Sequence, residues 1–550
     1  MGSIRWLLLL GTAASAACSS DFAAGPAAPP CSATLATEVA LAPGAYTAID
    51  PAADSGCVSF PANVSTGDSA EYLVIAQSAG GVPGDTASFG LRSASLLAGA
   101  APAELATARC AVLPGRRGSI AARFDGLLHE LERTRHAIAR TSAVRPTAAS
   151  FAAVAPPTVG SLRTFTVCAN LDCTIYKPVT ARAQSVGVHV VIYVDTVAPA
   201  NGLTATNIDT LQHVFDTHVY AVDTAAFGTV SDIDSNGVVI TLMTPVVNSM
   251  VTNAECQAGG FVEGFFDPAD LDPSSAAQHN HGEIFYTIVA DPNGALSCSH
   301  TVADVESSLP GTFLHELQHV IGFNQHVLVR GGNLEDLWLD EALSSFAEEL
   351  GGRSFLPDST TFETYVVPDL ADAYDYLANP GAHFLLQTSD TILADFGAGW
   401  LYVRYLVDQF GDSLTDRLEQ TALTGADNVA AQTGLQFETT TTRWALANWV
   451  SDLPGFAPPA GLFYRSWSFR QVFASFYAQD PFDFPLPFPL VPPGVAGTQV
   501  NLAGTMHAGS GFYVDILQAP GGGGFALRLS GSGGLVVPAV DPRLDIIRIR

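Results

Sequence analysis

The sequence predicts a multidomain α+β protein, and three observations carry that expectation. At 550 residues the chain is long enough for two to four domains. Both ends are rich in short alternating segments between Gly, Pro and Ser, the pattern of half-buried strands. The stretch from about 312 to 450 instead carries apolar residues at helical spacing. Net charge is −29, and Lys177 is the single lysine. That balance argues against nucleic acid or an anionic membrane as a partner of the folded part.

In chain order, residues 1–18 read as an export signal. Arg5 supplies a cationic start, Trp6 to Leu10 an apolar stretch too short to span a bilayer, and small residues run on to Cys18. Ser15-Ala16-Ala17-Cys18 resembles a bacterial lipobox, so Cys18 is expected as a lipid-modified N-terminus with residues 19–30 as its tether. The expected location is the outer membrane or cell surface, otherwise the secreted fraction, and the lipid is the one membrane contact expected. Residues 31–117 read as an N-terminal β module, with Glu71 to Ala76 its clearest strand. Within 118–158, Phe124, Leu127, Leu128, Leu131 and Ile138 mark one amphipathic helix, followed by an Ala/Pro/Thr linker from 143. This segment suits a propeptide, and residues 19–158 together suit a propeptide or an attachment module.

Residues 159–480 open with strands at 163–167, 188–194, 238–243 and 282–289 and then turn helical. The Pro-rich stretch 481–495 excludes a helix or central strand and leads to a C-terminal β module, 496–550, with a strand at 511–517. The cysteines suit an oxidising compartment. Cys31 with Cys57, Cys168 with Cys173, and Cys256 with Cys298 are the expected pairs, with Cys18 at the lipobox and Cys110 left odd, although spacing alone does not set connectivity.

The most informative residues are His315-Glu316-Leu317-Gln318-His319. On a helix, positions i and i+4 share a face, so both imidazoles can close on one metal ion. Glu316, about 100° round the helix, is placed to take a proton from an attacking water. Apolar residues at 313, 314, 317, 320, 321 and 323 predict a packed helix, and Pro310-Gly311-Thr312 predicts its start, with Thr312 as N-cap. Two histidines and a glutamate on such a helix need something to satisfy them, and a zinc ion does so.

Catalytic zinc usually has a third protein ligand. In the metzincin template Gly322 fits, but the third histidine falls one position late, at His326, and no methionine follows before Met506. The second template is a carboxylate on the next helix, 337–350, which Gly351-Gly352 should end. Its start, Trp338-Leu339-Asp340-Glu341-Ala342, closely resembles the W-L-N-E-G signature of gluzincin metallopeptidases. That resemblance implies Glu341 as third zinc ligand, with Glu335, Asp336 and Glu348 as alternatives. It covers roughly 160–455, is nearest to the hyicolysin-type secreted bacterial metallopeptidases, and implies a gluzincin-like domain with a substrate-pairing cleft strand at Ile284 to Val289. In aminopeptidase-like gluzincins a Tyr supports the oxyanion where this chain has Phe396, which has no donor. His383, Tyr402 or Tyr405 would have to take over. Losing one such donor typically costs about 100- to 1,000-fold in rate.

Asp232, Asp234 and Asn236 before Gly237 have the spacing of the first half of a calcium loop, but its closing Glu falls on Met243, so an acidic turn is the plainer expectation. His279 and His281 are expected to decorate a loop. Together these features lead to an expected zinc-dependent endopeptidase acting on a protein or peptide substrate. His315, His319 and Glu341 would hold the metal, and Glu316 would be the general base. The competing expectation is a surface-binding lipoprotein of the same fold with little or no hydrolysis.

Overall fold

The computed structural model describes residues 31, 36–94 except 54, then 124, 127, 128 and 131, and 156–550 except 259, 273, 277, 278 and 389–391. The export signal, Cys18, the tether, Cys110 and the 143–155 part of the linker lie outside the described residues. The described chain is mixed α+β, with three sheets and a helical region between them. No helix among the described residues is long and apolar enough to cross a membrane.

The sheet beside the site has six strands, in the order Gly264–Phe266, Ile284–Thr287, Val239–Met243, Val190–Asp195, Tyr176–Val186 and Leu162–Cys168. Its three middle strands, 284–287, 239–243 and 190–195, run parallel. Val239–Met243 is buried at every residue, which fits a sequence that is apolar except at Thr241. Two strands escaped the sequence reading. Tyr176–Val186 buries Val179, Ala181, Ala183 and Ser185 at period two, but side chains that small give little apolar signal. Gly264–Phe266 is only three residues long. It pairs antiparallel outside Ile284–Thr287, so the strand expected at the cleft edge is internal and Gly264–Phe266 is the edge.

The two β-rich ends, expected as separate modules, are interleaved in one sandwich. Phe525–Ser530 lies between Cys57–Phe60 and Thr86–Ala94, and Ala70–Ser78 lies between Gly511–Gln518 and Pro542–Arg548. Each end supplies strands that would otherwise leave unpaired edges in the other. Tyr72, Val74 and Ala76 face the core between the two sheets, while Leu73 and Ile75 join the main core. Both faces of this strand are therefore buried. On the outer side Gln77 donates to the Thr441 carbonyl at 3.3 Å, Tyr513 to the Ala445 carbonyl at 2.8 Å and Thr442 to Asp545 at 3.0 Å, seating the sheet on helix Phe437–Val450.

Two helix boundaries differ from expectation. The motif helix runs Val302–Phe323 with Pro310 inside it, because the capping box between Thr301 and Asp304 supplies an earlier start. Val305 and Leu309 extend its buried face upstream. The following helix runs Leu337–Arg353, through both glycines. A Cβ at Gly351 would lie 2.1 Å from the Leu314 side chain and one at Gly352 3.0 Å from Tyr365, so these glycines permit close helix packing rather than termination. The Pro-rich stretch is neither helix nor central strand, and Phe484 packs edge-on against Tyr374. The disulfides pair Cys31–Cys57, Cys168–Cys173 and Cys256–Cys298.

Candidate metal centre

The motif helix and its successor pack against each other, and this contact brings His315, His319 and Glu341 together. One potential ligand atom from each lies within 4.8 Å of the others. The Nε2 atom of His315 is 3.4 Å from one Glu341 oxygen, and that of His319 is 4.0 Å from the other. Glu341 is 2% exposed and its Oε2 has no hydrogen-bond partner. A buried carboxylate oxygen left so is costly without a cation.

The other face of each imidazole is occupied. His315 Nδ1 lies 3.0 Å from Glu348 and His319 Nδ1 3.1 Å from Asp340. Carboxylates in this position fix the ring orientation and leave Nε2 free to coordinate. Glu348, one of the alternative ligands, thus orients His315 instead. Burial lowers the affinity of both imidazoles for a proton, but Glu341 and Glu348 hold His315 well above the usual histidine range, and Asp340 and Glu341 hold His319 at about 9. The site strongly favours positive charge, and two nitrogens with one carboxylate oxygen are a zinc donor set.

Glu316 is buried, and its carboxyl is pushed up to about 7 by burial, with His315 and His319 opposing. The Phe266 backbone N–H bonds to it. Glu316, His319 and Glu341 line a cleft together with Phe266, Pro268, Leu334 and Leu128. Leu128 comes from the segment before the domain and is buried, as is Phe124 four residues earlier, which packs edge-on against Phe265.

Of the remaining candidates, Glu335 lines the same cleft, and none joins the three-ligand group. His326, the late metzincin histidine, is fully buried in the π-helical turn Asn324–Val329, with Nε2 3.4 Å from Glu419 and 3.8 Å from Glu335. Glu335, an alternative ligand by resemblance, is engaged here instead: it also accepts from Gly425 N–H and Asn428. Asp336 is the residue before the second helix. Tyr402 bonds Thr440 at 2.6 Å and Tyr405 donates to the Gly461 carbonyl at 2.6 Å, so neither hydroxyl faces the cleft. His383 lies 3.5 Å from Asp395. Next to Phe396, a Cβ on Gly397 would meet the Asp372 backbone at 2.2 Å, so this part of the motif serves helix packing.

Sequence reasoning missed the acid layer behind His315. Asp223 and Asp369, both buried, are pushed well above the carboxylate range by burial, and each senses His315 and Glu348. Nothing in their local sequence separates them from ordinary helix charges.

Two further groups of potential ligands occur among the described residues. Cys256, Cys298 and His300 are one, but both sulfurs are in a disulfide and offer no thiolate. The other is Asp232, Asp234 and Glu283. Asn236, expected in the loop's ligand set, instead donates to Asp234 at 2.9 Å and accepts from Val238 N–H at 2.7 Å. Neither His279 nor His281 belongs to such a group.

No protein-family model matches this chain, and no curated protein matches it in sequence.

Proposed function

We propose that the chain is an exported, lipid-anchored zinc endopeptidase of gluzincin type. The observation that carries this reading is the convergence of two imidazole Nε2 atoms on a buried Glu341 carboxylate, one oxygen of which accepts no hydrogen bond, beside Glu316. His315, His319 and Glu341 hold the ion, which when bound lowers the pKa of a water and polarises the scissile carbonyl. Glu316 takes the proton of the attacking water and passes it to the leaving amine, a task suited to a carboxyl poised near 7. Glu348 and Asp340 keep both rings oriented. The edge strand Gly264–Phe266 offers backbone groups beside the cleft for an extended peptide.

Residues 118–158 act as a prosegment in this reading. Leu128 occupies apolar surface in the cleft that a substrate side chain would otherwise cover, and Phe124, packed on Phe265, holds the segment there. Cleavage of the purified protein within 143–158 should therefore raise turnover, and unchanged turnover in the nicked protein would remove this role.

The main test measures metal content beside casein-peptide hydrolysis, with and without chelator. One zinc per chain and chelator-sensitive cleavage restored by zinc are expected. Bound zinc without cleavage, even after nicking, would favour the second reading, a surface-binding lipoprotein. That reading draws on Phe396 and on the engagement of Tyr402 and Tyr405 elsewhere. Absence of zinc would overturn both.

A further inference from the structure

The loop that precedes strand Val239–Met243 and the residue that precedes strand Ile284–Thr287 bring three carboxylates together. Asp234 and Glu283 are each 1% exposed, and Asp232 is open to solvent. One oxygen from each lies within 4.8 Å of the others. Glu283 Oε1 accepts from Ser231 at 2.6 Å and from Ile233 N–H at 2.9 Å. Its Oε2, fully enclosed, has no hydrogen-bond partner. Glu283 thus has donors on one oxygen only, while two further carboxylates beside it repel its charge, an arrangement that is expensive unless a cation joins it.

We infer that Asp232, Asp234 and Glu283 form a binding site for a hard divalent cation of the calcium class, separate from the His315 centre. Every donor is an oxygen, which selects calcium over zinc. Ligand oxygens about 2.4 Å from a calcium ion lie no more than about 4.8 Å apart, a limit that these three oxygens meet. Arg163 sits 3.6 Å from Asp234, so three carboxylates and one guanidinium sum to −2, the charge a divalent ion neutralises. Exposed Asp232 leaves an entry path. The ion would tie the 229–238 loop to the start of two neighbouring parallel strands, where Ile240 N–H already donates to the Glu283 carbonyl at 2.7 Å. Its role is structural, since none of these residues lines the cleft.

Calorimetric titration of the full-length protein with calcium chloride, with melting temperature followed in parallel, tests this. One site of sub-millimolar affinity and a rise of several degrees are expected. Glu283→Gln should abolish both. Asp232→Asn, at an exposed position that leaves the fold intact, should weaken calcium at least about tenfold. His315→Ala should retain it, which separates this outcome from the fate of the peptidase reading. Absence of heat and of a thermal shift up to millimolar calcium would overturn the inference. So would equal binding by the native protein and Asp232→Asn.

Discussion

The two metal-competent groups solve the same electrostatic problem with different sequence arrangements. At the cleft, two of three ligand residues lie four apart on one helix and the third follows 22 positions later on the next helix. In the acidic group, two lie two apart in a loop and the third is 49 positions beyond, at a strand entrance. Each encloses a carboxylate oxygen with no hydrogen-bond partner, Glu341 Oε2 in one and Glu283 Oε2 in the other. Helical periodicity makes the first arrangement visible in a sequence. The second depends on strand pairing, which a sequence does not display.

The largest expected effect tests whether the groups are independent. His319→Ala should remove zinc and all peptide hydrolysis while calcium binding persists, and Glu283→Gln should do the reverse to metal content. Metal analysis of the two variants would read this directly. Loss of both ions in either variant would collapse the comparison into one coupled site.

Next, Glu316→Gln should keep its zinc and lose about 100- to 10,000-fold in kcat/KM, because general-base catalysis goes while the ligands stay. Retained proteolysis in that variant, free of contaminants, would refute the proposed role. A smaller effect is expected from Glu348→Ala, which removes the partner of His315 Nδ1 at 3.0 Å. Zinc affinity should fall about 10- to 100-fold, measured by competition with a chromogenic chelator. No change would mean that helix packing alone orients the ring.

These variants also mark how far the sequence could be read. The motif helix, the cleft carboxylate Glu341 and the central strands were legible because each has a local period or a short signature. Gly351 and Gly352 misled because a glycine's local meaning is helix termination, whereas here they admit Leu314 and Tyr365. The merging of both chain ends into one sandwich was illegible, since Phe525–Ser530 carries no mark of its partners at 57–60 and 86–94. Phe266 at the cleft escaped for a related reason: a three-residue strand is shorter than any pattern that could announce it. Leu128 was recognised as a helix residue, but its place at the cleft is a tertiary fact.

An unpartnered buried carboxylate oxygen does not by itself make a metal site, and Asp545 shows why. It is fully buried beneath helix Phe437–Val450, with Oδ1 accepting from Thr442 at 3.0 Å and Oδ2 bonded to nothing. No metal-competent group among the described residues includes it. With no second carboxylate to share a cation, burial pushes its carboxyl up to about 7, against the pull of Thr442 and Arg543. The folded state therefore holds a proton that the unfolded chain, with an ordinary aspartate, gives up near pH 4. The stability from that proton is complete below about pH 4 and is lost as pH rises to about 7, a change of the order of 2–4 kcal/mol. Asp545→Asn keeps an acceptor for Thr442 and removes the charge. Its melting temperature should exceed the native protein's by a few degrees at pH 8, and the gap should close at pH 4. Parallel melting curves at both pH values would mean that Asp545 stays neutral or is paid for elsewhere, and the contrast with Glu283 and Glu341 would then lose its reference point.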